Sequence, residues 1–152
     1  MQMKNTSDDH ASNEPEAMVG YWINLASRTI VRVMDARLRP LGFAMSYLPV
    51  VRALAQGGAQ SQKELARIAR VEQPTMAEML GRMERAGLVQ REMNPDDKRG
   101  SLTSLTRRTR ARFHRAAKAL KEGESEAMAG FSEAEKVLFR NFLERVVRNL
   151  AP

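Results

Sequence analysis

The chain has no cysteine among its 152 residues. Disulfides, thiolate metal sites and cysteine-based redox sensing are thereby excluded. Histidine is scarce as well: only His10 and His114 occur, too few for a zinc site of four ligands unless several carboxylates join them. No apolar run reaches the roughly eighteen residues that a membrane-spanning helix needs, so no membrane partner is expected. The first ten residues carry Lys4, Asp8 and Asp9 and lack an apolar stretch, which does not fit a secretory signal. A cytoplasmic protein is expected. The sequence also lacks a Gly-rich phosphate loop, a Gly-x-Ser-x-Gly elbow and a His-Glu-x-x-His pair, and with them the common local signatures of catalysis. His114 is expected to be a surface or interface residue rather than a general base. No enzyme, no metal and no cofactor is expected.

What is present points elsewhere. Apolar residues make up 43% of the chain, enough to build a core rather than a disordered polymer. The net charge is +7, and its distribution matters more than its size. Residues 1–20 carry net −3, residues 21–60 net +4, residues 61–115 net +6, and residues 116–152 are neutral. The excess cation therefore sits mid-chain, where a polyanion would be met. A solvated basic face would give the same composition, so the segments have to decide.

Residues 1–13 are polar and are expected to form a disordered lead. Asn13 is placed to cap a helix through residue 40, with Glu14, Pro15 and Glu16 in its first turn. Val19, Ile23, Ala26, Ile30 and Val33 or Met34 follow helical spacing, and Met18, Trp22 and Leu25 add a second apolar face. Such a helix asks for two partners. Pro40 and Gly42 end it. Ser46 is expected to cap a second helix that closes at Gly57 and Gly58. Ser61 and Glu64 have the spacing of a capping box for a third helix, with Leu65, Ile68 and Ala69 as its core face. Pro74 opens a fourth helix that Gly87 closes. Residues 88–105 read as a β-hairpin with a basic tip, Asp97-Lys98-Arg99. Thr106 caps a long fifth helix. Ser132 with Glu135 opens a last one, whose Leu138, Phe139, Phe142, Val146 and Leu150 keep a strict apolar stripe.

A short helix, a tight turn, a second helix and a hairpin make a winged helix-turn-helix. The expected fold class is mainly α with a small β-hairpin wing: residues 41–106 form the DNA-binding lobe, and residues 14–40 and 107–150 a helical dimerisation region. At 100° per residue, Met76, Met79, Leu80 and Met83 share one side of the fourth helix. Pro74, Thr75, Glu78, Arg82 and Arg85 lie opposite, with Ala77 and Gly81 at the flank. Small polar groups near the helix start suit base edges in a major groove, and the arginines further on suit phosphates. Lys98 and Arg99 on a narrow turn suit a minor groove, with Asp97 orienting Arg99. The candidate DNA-contacting set is Ser61, Gln62, Gln73, Pro74, Thr75, Ala77, Glu78, Arg82, Arg85, Asp97, Lys98 and Arg99. The candidate dimer set is Trp22 with the stripe of the last helix. A winged-helix module that holds a protein instead of DNA is the alternative, but it would not need Arg82, Lys98 and Arg99 on one surface.

The run Leu65-Ala66, Pro74-Thr75-Met76, Arg82-Met83-Glu84-Arg85-Ala86-Gly87-Leu88-Val89, then Asn94-Pro95-Asp96-Asp97-Lys98-Arg99 and Leu105-Thr106, resembles the MarR family of bacterial regulators over about residues 15–150. The resemblance implies a homodimer with interleaved terminal helices and two winged lobes on one double-stranded DNA. It also implies, as in many members, a small aromatic or phenolic effector held between the dimer helices and a lobe. This chain departs from the family pattern at Ala77 and Glu78, where many relatives carry Ser and Arg. An operator sequence therefore cannot be borrowed. Glu78 could accept from a cytosine amine or repel phosphate.

Overall fold

The computed structural model describes residues 17–95 and 100–151. Six helices and three short strands follow in order: α1 (Val19–Leu38), α2 (Leu48–Gly57), β1 (Gln60–Ser61), α3 (Gln62–Ala69), α4 (Gln73–Arg85), β2 (Val89–Met93), β3 (Ser101–Leu105), α5 (Arg107–Ala127) and α6 (Glu133–Leu150). The strands form one antiparallel sheet in the order β1-β3-β2. The expected hairpin is present, with Val89 opposite Leu105 and Met93 opposite Ser101. The Asn94 N–H donates to the Gly100 carbonyl at 3.1 Å and closes the described part of the wing. The third strand was not expected. Gln60 and Ser61 pair with Thr103 and Leu102, and two residues are too few to show strand alternation.

The helix starts obey local chemistry. Thr106 Oγ1 accepts from the Thr109 N–H at 3.2 Å, so α5 begins where its cap predicts. At α6 the capping box is complete, with Ser132 and Glu135 each holding the other's backbone N–H. At α3 only one side of the expected box forms. Ser61 Oγ accepts from the Glu64 N–H, while the Glu64 carboxylate turns to Arg67 at 2.6 Å. Ser46 does not cap α2. It lies inside a 3-10 turn, Met45–Tyr47, whose Met45 N–H donates to Asp35 of α1 at 2.7 Å. A carboxylate from another helix thus holds the backbone donor at the start of that turn, and α2 begins at Leu48 with Pro49 in its first turn.

The first helix also differs from expectation. Asn13, Glu14, Pro15 and Glu16 lie outside the described residues, and Met18 has extended backbone (φ −89°, ψ 124°), so α1 starts at Val19. Only Met34 and Leu38 of α1 are buried; Ile23, Leu25 and Ile30 are half-buried, and Val19, Trp22, Ala26 and Val33 are exposed. Its buried end crosses α5 closely. A Cβ on Gly123 would come within 2.5 Å of Met34 Sδ, so glycine there sets the approach of the two helices.

One core joins these elements. Leu38 and Phe43 come from the α1 end, Val50, Val51 and Leu54 from α2, and Leu65 and Ala66 from α3. Met76, Met79, Leu80 and Met83 come from α4, Leu88, Val89 and Leu105 from the hairpin, and Ala116 from α5. On α3 the buried pair is Leu65 and Ala66, and Ile68 is 36% exposed. An eight-residue helix has too few turns for its periodicity to fix which face packs inward. Met76, Met79 and Met83 put three flexible side chains into that core.

Candidate nucleic-acid interface

The core fixes the rotation of α4. With Met76, Met79, Leu80 and Met83 buried, Pro74, Thr75, Glu78, Arg82 and Arg85 are left exposed, and Ala77 and Gly81 half-buried at the flank. This is the outward face that the sequence predicts. The N-terminal end of α4 carries no acidic residue in its first turn, and no side chain caps it. Its free N–H groups and the positive end of the helix dipole are therefore available to an anion. Gln73 is exposed at that end, and its carbonyl accepts from Gln62 Nε2 at 3.5 Å, which brings the starts of α3 and α4 together. Ser61 is half-buried, and its hydroxyl oxygen is committed to capping α3. Glu78 lies 3.8 Å from Arg82, both well exposed. Such a pair is weak in water, and Arg82 can leave it for a phosphate.

The turn between α3 and α4 carries a residue that sequence reasoning missed. Arg70 adopts left-handed backbone, φ 54°, the only described non-glycine residue to do so. Its N–H closes α3 against the Ala66 and Arg67 carbonyls. An L side chain there costs roughly 1–2 kcal/mol relative to glycine. Arg70 is exposed, so the turn presents a guanidinium between the two helices. No local pattern marks such a site, because the sequence there has neither glycine nor asparagine.

Asp97, Lys98 and Arg99, the expected wing contacts, lie outside the described residues. The strands leading to them are well placed by the lobe. Thr106 Oγ1 donates to the Gly87 carbonyl at 2.9 Å, and the Thr106 N–H donates to Leu88 at 3.1 Å. Thr109, fully buried, sits 3.4 Å from the same Gly87 carbonyl. The α4–β2 turn, with Gly87 at φ 67°, is thus locked to the start of α5.

The expected dimer residues are exposed or half-buried. No residue of α6 is buried. Leu138, Phe139 and Phe142 are exposed, Leu150 is 80% exposed, and Val146 is half-buried. Trp22 on α1 is 55% exposed and meets Tyr21 edge-on at 5.4 Å. Between α1, α5 and α6 lies a cavity of about 620 Å³. Ile30, Met34, Met128, Phe139 and Leu143 give it apolar walls, and Lys121, Lys136 and Arg140 stand at its lining with Glu124 and Glu133. Among the described residues no group of three or more His, Asp or Glu could hold a metal ion, and no described helix is long and apolar enough to cross a membrane.

Comparison with known proteins agrees with this geometry. The model of the MarR family matches residues 45–101, which run from the turn before α2 to the first residue of β3. The uncharacterized HTH-type transcriptional regulator YwoH of Bacillus subtilis is 32% identical over 127 residues, covering 81% of this chain and 92% of the relative. The HTH-type transcriptional repressor Rv2887 of Mycobacterium tuberculosis is 28% identical, covering 86% of this chain and 94% of that one. Among solved structures, a mutant MarR from E. coli complexed with operator DNA superposes with a TM-score of 0.77 at 23% identity, covering 84% of this chain and 92% of that one. That last likeness is one of fold.

Proposed function

The chain belongs to the MarR family of DNA-binding transcriptional regulators, and from that premise we propose that it is a homodimeric repressor, released from a pseudo-palindromic operator by a small aromatic or phenolic effector. The observation that carries the DNA reading is the division of α4. Its four large apolar residues are in the core, and its small polar and basic residues face solvent from an uncapped helix start. An anionic duplex supplies what that face lacks. Pro74, Thr75, Ala77 and Glu78 sit where base edges would be read. Arg82 and Arg85 sit further along α4, and Arg70 in the turn before it, where phosphates would be met. Lys98 and Arg99 of the wing would enter the adjacent minor groove, with Asp97 directing Arg99.

Dimerisation follows from the uncovered surface. An 18-residue helix with no buried residue and five apolar groups on one stripe is not a stable end state in water. A second copy related by twofold symmetry would cover α6 and the outer face of α1 with the same residues. It would also place two copies of α4 on one duplex, which is what an inverted repeat requires. The cavity between α1, α5 and α6 is the candidate effector site. Its apolar walls suit a ring, and Lys121 and Arg140 suit an acidic or phenolic oxygen. An effector there touches both the dimer helices and α5, and α5 is hydrogen-bonded to the end of α4. Reduced repression is then a change in the spacing of the two lobes.

The test is a gel-shift titration on an inverted-repeat duplex with a panel of aromatic acids and phenols. Release by one of them, lost in Met128→Ala and Arg140→Gln with DNA affinity retained, supports the reading. Release that survives both substitutions would move the effector elsewhere. Affinity that does not fall steeply with salt would remove the DNA reading itself.

A further inference from the structure

The outward face of α4 carries a carboxylate, and its position on the helix decides what it can meet. Within α4 the acids are Glu78 and Glu84. Glu84 is paired with Arg91 of β2 at 3.3 Å. Glu78 lies 3.8 Å from Arg82, one turn on, and its side chain is 76% exposed against 50% for Arg82. At 100° per residue Glu78 falls about 30° from the direction opposite the mean of Met76, Met79, Leu80 and Met83, and Arg82 about 70° from it. Pro74 is as central, but it has no polar side-chain group. In the first two turns no other side chain able to hydrogen-bond faces as directly away from the core.

A helix lying in a major groove sets its central residues over base edges and its flanks toward the phosphate rows. Glu78 is therefore set over bases, and the four bases do not receive a carboxylate alike. Guanine presents two acceptors, N7 and O6, and thymine an acceptor and a methyl group. Against either, a carboxylate loses water and gains no donor, which is costly. Adenine offers its N6 amine but sets the N7 acceptor beside it, against the second carboxylate oxygen. Cytosine offers its N4 amine with only carbon beside it. The pair with Arg82 does not relieve the mismatch, because an exposed pair at 3.8 Å is weak.

We propose that Glu78 is a specificity-determining residue, which selects cytosine at one position of each half-site and rejects guanine there. The proposal rests on the reading of α4 as the DNA-facing helix and adds a base identity to it. Glu78 acts as a filter more than as a source of affinity. Every duplex meets its negative charge, and a cytosine amine answers it with a charge-assisted hydrogen bond. Twofold symmetry sets one Glu78 over each half of an inverted repeat, so the choice is made twice.

The experiment selects sequences from a random double-stranded pool with the wild type, Glu78→Ala and Glu78→Gln. The enriched duplex is then remade with each base pair in turn at every half-site position, for competition binding. The wild type should hold one pair per half-site as C·G in a fixed orientation, with the reversed pair bound roughly 10- to 100-fold more weakly. Glu78→Ala should lose the preference at that position alone, keep the rest of the motif, and bind duplexes without the cytosine more tightly than the wild type does. Glu78→Gln should extend the preference to adenine, whose N6 and N7 a carboxamide meets together. Both variants should melt with the wild type, since the side chain is outside the core. An unchanged motif, with affinity raised equally for all duplexes, would overturn the proposal and leave Glu78 as a diffuse repulsion of phosphate. A wild-type motif without the cytosine would overturn it too, while a motif that changes in Thr75→Ala would keep the α4 reading. No enriched motif for the wild type would overturn the α4 reading and this proposal with it.

Discussion

Phe142→Asp should separate dimerisation from folding. Phe142 is 49% exposed in the single chain, and α6 contributes nothing to the core, so the lobe has no reason to unfold. A second copy covering the ring would remove the remaining half of its surface from water. Full burial of such a side chain is worth roughly 1.5–3 kcal/mol, so half is about 1 kcal/mol. Aspartate forfeits that and adds an unpaired carboxylate in the interface, at a cost of several kcal/mol after relaxation. Twofold symmetry doubles each effect. The total is about 6 kcal/mol or more, over four decades in the dimer Kd at about 1.4 kcal/mol per decade. Sedimentation equilibrium at micromolar protein should show a monomer, circular dichroism should show a folded lobe, and tight binding to an inverted repeat should be lost. A variant that stays dimeric, or a folded monomer that binds the repeat as tightly as the wild type, would refute the reasoning.

The α4 face predicts two kinds of failure. Thr75→Ala should relax sequence preference, whereas Arg82→Ala should weaken all duplexes alike and reduce the salt slope by about 1; competition assays against single-base operator variants separate them, and equal loss of discrimination would mean the face is misassigned. Thr106→Ala removes both the α5 cap and a hydrogen bond to the Gly87 carbonyl, and should cost about 1–2 kcal/mol in chemical denaturation; an unchanged midpoint would show that the latch contributes nothing. At α6, hydrogen bonds from the Ser132 backbone and hydroxyl hold the Glu135 carboxyl below the ordinary carboxylate range. A depressed folded value means the contribution is present at neutral pH and is lost as pH falls through that value. Far-UV circular dichroism should show α6 fraying on acidification, with a weaker acid dependence in Glu135→Gln; a variant with the wild-type acid profile would count against the box.

The parts legible in the sequence were those decided within a turn or two of helix. The caps at Thr106 and Ser132, the glycine stop after α4 and the two faces of α4 depend on neighbours three or four residues away, and each formed as expected. Contacts made across the fold were not legible. Asp35 reaches from α1 to hold the turn before α2, which displaced Ser46 as a cap. The pairing of Gln60 and Ser61 with β3 depends on where the hairpin returns. On α3 tertiary packing chose Ala66 over Ile68, and Arg70 accepted left-handed backbone to make the turn. The expected start of α1 at residue 14 overran Met18, whose extended backbone breaks the pattern. The apolar stripe of α6 was legible as a pattern, and what covers it is a property of two chains.

The central claim is that two copies of α4 read one duplex. Selection of bound sequences from a random double-stranded pool tests it most directly. The account predicts enrichment of an inverted repeat whose half-sites are centred about one helical turn, or a whole multiple, apart. Enrichment of a single unrepeated site, or of no sequence beyond the starting pool, would contradict it.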